Sequence, residues 1–108
     1  MIEFNKNFDE CGIDVSHHFG SGMYVKECRI PAGLKLTQHS HKFDHLSWLS
    51  SGDAIVEVDG EQNKYSGPCM LEIKANKVHS VESVTDVVWL CMHGTDETDV
   101  VNIDESLV

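Results

Sequence analysis

The chain has 108 residues, 18 acidic and 8 basic, for a formal net charge of −10. That length fits one domain with one core, and so acidic a surface repels phosphate backbones, which argues against nucleic-acid binding. No run of about 18 apolar residues offers a membrane-spanning helix. The start lacks the basic-then-apolar order of a secretory signal, so a cytoplasmic location is expected.

Helical periodicity is scarce, and short apolar stretches alternate with Gly, Pro, Asn, Asp and Ser, the pattern of an all-β domain. Residues 1–22 are expected to precede or cover a barrel, with His17 and His18 exposed. Gly22 to Ile30 reads as a strand ended by Pro31-Ala32-Gly33. Leu34, Leu36 and Gln38 then alternate with Lys35, Thr37 and His39, and His45 to Leu49 forms the next strand, broken by Ser50-Ser51-Gly52. Asp53 to Val58 runs into Asp59-Gly60, a two-residue hairpin signal because both turn residues need positive φ. The return strand is Glu61 to Tyr65, closed by Ser66-Gly67-Pro68, and Cys69 to Ile73 follows. A second hairpin is expected from Val78 to Val84 and Val87 to His93, turned at Thr85-Asp86. These make about eight strands in roughly 70 residues, which favours a β-sandwich or barrel over 23–94. Residues 95–108 form an acidic tail, either a loose end or a short covering element. Four cysteines, Cys11, Cys28, Cys69 and Cys91, are spread without a CxxC pair, as suits reduced thiols that mostly serve as small core residues.

The chemistry concentrates in the histidines. Residues 33–52 follow the pattern G-x5-H-x-H-x3-H-x6-G through Gly33, His39, His41, His45 and Gly52. On an extended strand, side chains at i and i+2 share a face, so His39 and His41 can aim at one point. A turn through Lys42, Phe43 and Asp44 can return His45 to it, and His79 supplies a fourth imidazole. Neutral imidazole is a good donor for zinc, copper, iron and nickel. Lys35, Lys42, Lys74 and Lys77 flank these segments, either as solvated charges or as a positive rim that admits a small anion.

With those residues in place, the chain resembles a cupin, the small jelly-roll β-barrel superfamily. The superfamily's first motif is commonly G-x5-H-x-H-x3,4-E-x6-G; Gly33, His39, His41 and Gly52 match it, and His45 stands where Glu is usual. The second motif is commonly G-x5-P-x-G-x2-H-x3-N, and its core is matched only at His79. Lys74 stands at the usual Pro, Asn76 at the usual Gly, Ser83 at the usual Asn and Pro68 at the opening Gly. Asn76 is a mild change, since Asn tolerates a left-handed conformation; Ser83 is expected to lose a polar partner of little weight.

The resemblance spans about Met23 to His93 and implies an all-β, cupin-like jelly-roll barrel in a single domain. It would bring His39, His41, His45 and His79 onto the inner wall around one divalent transition metal ion, with iron first for an oxygenase and zinc, nickel or manganese as alternatives. Replacing Glu by His removes a negative charge, so the ion would keep its full charge and favour anionic oxygen or sulfur ligands. That is similar to the all-histidine cupin dioxygenases. A dioxygenase-like enzyme acting on a small anionic or chelating molecule is therefore expected. A non-catalytic binding module is the alternative, or an isomerase or lyase in which His45 or Tyr65 acts as base. His45 is either a ligand or a group that hydrogen-bonds bound water. His93 shares a strand face with Val87, Trp89 and Cys91; if that face is inward it could line the pocket mouth, but the sequence favours a plain strand-end histidine there. If His45, Ser47 and Leu49 face inward, Leu46 and Trp48 face outward and suit either a homodimer contact or cover by the N-terminal segment.

Overall fold

A computed structural model describes residues 3–8, 12–38 and 44–95, with the backbone alone for 3–8 and 37–38. Among these residues lie ten strands: β1 (Glu3–Phe8), β2 (Asp14–Gly20), β3 (Met23–Ile30), β4 (Lys35–Gln38), β5 (His45–Ser51), β6 (Asp53–Val58), β7 (Glu61–Ser66), β8 (Cys69–Ile73), β9 (His79–Ser83) and β10 (Val87–Gly94). They form a six-stranded sheet, in the order β1-β2-β3-β10-β5-β8, and a four-stranded sheet, β4-β9-β6-β7. Every pairing is antiparallel. The stretch 23–94 holds eight strands, as the turn spacing predicts. No helix of the described residues is long and apolar enough to cross a membrane.

Alternation decides which side chains meet between the sheets. In β10, Val87, Trp89, Cys91 and His93 are buried while the residues between them are not; in β5 the buried set is His45, Ser47 and Leu49. From the smaller sheet come Ala54, Val56 and Val81, and with Val15, Cys28 and Ile30 they complete an apolar core. Cys28 and Cys91 are core residues and Cys69 is half-buried, none of the three in a disulfide; Cys11 lies outside the described residues. Cys91 Sγ accepts hydrogen bonds from the Trp89 indole at 3.2 Å and the Ser47 hydroxyl at 3.7 Å.

The Asp59-Gly60 hairpin forms as predicted, with φ of 50° and 82°. The hairpin expected at Thr85-Asp86 does not. β9 lies in the smaller sheet between β4 and β6, whereas β10 lies in the larger between β3 and β5, so the connection crosses between sheets. Neither Thr85 nor Asp86 has the positive φ that a tight two-residue hairpin needs. The crossing is pinned instead: the Asp53 amide donates to Thr85 Oγ1 and the Ala32 amide to Asp86 Oδ1, each at 2.9 Å.

The segment 1–22 was set before or over the barrel by the sequence. Its β2 is a strand of the larger sheet, in register with β3 from Asp14↔Arg29 to Gly20↔Met23. The two join through Ser21-Gly22, with φ of 53° and 73°. His17, expected exposed, is buried because it sits on the inner face of this strand; His18, on the other face, is half-buried against Glu27 at 3.0 Å. The Ser21-Gly22 dipeptide is itself a local turn marker, as Asp59-Gly60 is.

Candidate functional site

His45 and His79 open their strands at the same end of the barrel, from opposite sheets. His45 begins β5 and pairs with Ile73 of β8; His79 begins β9 and pairs with Gln38 of β4 and Val58 of β6. Both face inward, at 5% and 1% exposure, with ring centroids 5.9 Å apart. His39 and His41 lie outside the described residues, but the ends of their segment are informative. It leaves from Gln38, the register partner of His79, and returns at Asp44, next to His45.

A third histidine joins them. His93, near the end of β10, is 5% exposed, and its ring centroid lies 4.6 Å from that of His45. The register of these neighbouring strands pairs Met92 with Leu46, so the next step along puts His93 beside His45. Alternation along β10 gives the face that His93 shares, but the adjacency of β5 and β10, which brings it to His45 in place of a plain strand-end role, is revealed by no local pattern. Behind His93 stands Tyr24, fully buried, its ring 6.3 Å away and nearly parallel. The Tyr24 hydroxyl lies 2.7 Å from His17 Nδ1. Burial, reinforced by the neighbouring Cys91 and Cys28, raises the phenol's pKa far above its ordinary value, so Tyr24 stays protonated. Burial, with smaller contributions from Lys26 and His18, lowers the pKa of His17 and so favours its neutral form.

Tyr65, the expected alternative base, lies on β7 opposite Ala54, whereas His79 lies opposite Val58. Four residues of β6 separate those positions, roughly 13 Å along the strand. Tyr65 is half-buried and packs against the apolar core.

The lysine rim is neutralised where it is described. Lys35 lies 3.8 Å from Glu57, Lys77 lies 2.6 Å from Asp59, and Lys74 lies 2.7 Å from Glu72 and 3.8 Å from Asp44. The hydrogen bond to Glu72, ahead of the general attraction of Glu72 and Asp44, raises the Lys74 pKa. Each side chain is exposed, as the solvated alternative holds, and such pairs add little stability; Lys42 lies outside the described residues.

A cleft of about 510 Å³ opens onto His45 and His93. Met23, Leu46 and Met92 give it apolar walls, and Asp44 and Glu72 stand at its side. Among the described residues no three potential ligands gather tightly enough to hold an ion by themselves. His45 and His79 are two inward imidazoles from facing sheets, a donor pair that suits a transition metal; the other two expected ligands, His39 and His41, lie outside the described residues.

No protein-family model matches the chain, and no curated protein does. Solved structures do match. KdgF from Halomonas sp. superposes with a TM-score of 0.73 at 15% identity, over 86% of this chain and 87% of that one. An RmlC-like cupin from Shewanella frigidimarina gives 0.73 at 13%, over 88% and 86%. A predicted oxalate decarboxylase from Thermotoga maritima gives 0.68 at 12%, over 84% and 90%. With two antiparallel sheets closed around an inward histidine cluster, the chain has the cupin fold.

Proposed function

We propose that the chain is a metal-binding small cupin and a dioxygenase-like enzyme acting on a small chelating or anionic molecule. The observation that carries this reading is the meeting of His45 and His79, from facing sheets, at the barrel end where the motif segment begins and ends. His39, His41, His45 and His79 would hold one divalent ion, iron first, with zinc, nickel or manganese as alternatives. The bound ion would supply Lewis acidity and a means of activating a chelated substrate. The chain's own residues position the ligands and exclude water: His45 is fixed by the β5 ladder, and Leu49, Trp89 and Ile73 keep the adjoining interior dry. A fold neighbour whose description is a predicted oxalate decarboxylase is consistent with a small chelating substrate.

Elemental analysis of untagged protein, purified with and without air and paired with electron paramagnetic resonance, tests the reading. About one iron per chain, with oxygen uptake on small thiols or diketones, supports it. Turnover with zinc or manganese in the absence of oxygen would make the chain an isomerase or lyase with His45 as base. Firmly held metal without turnover would make it a binding module, and no metal at all would sink the reading. His79→Ala should abolish stoichiometric binding, while His18→Ala should leave it intact.

A further inference from the structure

We propose that His93 is a specificity residue of this site, contacting the small molecule that reaches His45 through the cleft, and that this molecule carries a chelating head on an uncharged, apolar body. The inference rests on the metal-site reading above. A molecule entering the 510 Å³ cleft meets His45 and His93 together, because both line it and their rings are 4.6 Å apart. The His93 ring is held from behind: Tyr24 backs it at 6.3 Å, and Tyr24 is itself fixed by its hydrogen bond to His17. It is therefore a rigid wall beside His45, as a specificity contact must be.

The cleft also selects the body of the ligand. Met23, Leu46 and Met92 present thioether and aliphatic surface, which binds apolar groups by burial. Asp44 and Glu72 stand beside it, and among the described residues Lys74 is the cation that pairs with both. Among those residues one carboxylate is therefore in excess, so a second anionic group on the ligand is repelled.

The test uses zinc-loaded full-length protein and benzohydroxamate, a small oxygen chelator with an apolar ring, followed by calorimetry. His93→Gln should keep zinc and bind benzohydroxamate at least 10-fold more weakly, whereas His18→Gln should match the parent. The 4-carboxylated hydroxamate should bind the parent more weakly than benzohydroxamate. Should His93→Gln fail to fold, the unaltered protein decides: the ring nitrogens of His93, observed by NMR with 15N-labelled histidine, should shift when benzohydroxamate follows zinc. Equal affinity in His93→Gln, or His93 signals that do not move, overturns the assignment. Loss of zinc in a folded His93→Gln overturns it too, by making His93 a ligand of the ion. A parent protein that takes up no zinc overturns the metal-site reading on which it rests.

Discussion

His17 shows how one residue couples the fold to pH. Its neutral form is favoured in the folded chain, so its folded pKa lies below the ordinary value of about 6.5 that the unfolded chain retains. Above that value both states are neutral and burial of the ring has no proton cost. As pH falls through 6.5 the unfolded chain takes up a proton that the folded chain refuses, and stability drops until the folded pKa is reached. One such group changes stability by at most about 1.4 kcal/mol per pH unit. Urea unfolding of metal-free protein at pH 7.5, 6.5 and 5.5 should therefore show a steeper acid loss for the parent than for His17→Gln. Equal slopes would remove His17 as the cause.

At the scale of elements, the turns between strands explain which motif positions are strict. Gly52, between β5 and β6, has φ +92°, and a methyl group there would run into the Asp86 backbone carbonyl and against Val87 Cγ2 at 3.0 Å. Gly33 has φ +86°, but nothing stands within 4 Å of the place a Cβ would take. Both glycines match the first motif, yet only one is sterically locked. Gly52→Ala should cost about 3 kcal/mol or more and Gly33→Ala about 1 kcal/mol, read from urea midpoints. Comparable losses would show that the Asp86 approach does not matter. Asn76 takes φ 62°, as its place at a usual glycine leads one to expect. Ser83 reverses the expectation of little weight: it is buried, its hydroxyl lies 2.5 Å from the Pro31 carbonyl, and it accepts the Leu34 amide at 3.0 Å. It ties the turn before β4 to the end of β9, a contact across 49 residues that spacing cannot reveal.

For the whole molecule, the outward face of the larger sheet is the feature that a monomer leaves unexplained. The β-ladder places Leu90, Trp48 and Met70 in one row and Met92 and Leu46 in the next. Leu46 is 45% and Met70 50% exposed. Adjacent apolar side chains on one sheet face suit a self-complementary contact, and we propose a homodimer through the Leu90-Trp48-Met70 row, clear of the cleft that Leu46 and Met92 line. Sedimentation equilibrium should give twice the chain mass of 12.1 kDa, and Met70→Glu should return it to the monomer. A monomeric parent protein would refute the proposal.

The sequence by itself determined the strands from 23 to 94, the Asp59-Gly60 hairpin, which residues of β5 and β10 share a face and the cupin-like barrel, because alternation and turn chemistry are local. It also picked out His45 and His79, whose motif spacing is local too. Tertiary structure alone decided that β9 and β10 part into different sheets, that β2 joins the larger one, and that His93 stands beside His45 while Tyr65 stands far along the strand from His79. Those facts depend on which strands are neighbours. Neighbourhood follows from burying both sheets' apolar faces against each other at once, a global condition that no window of sequence contains.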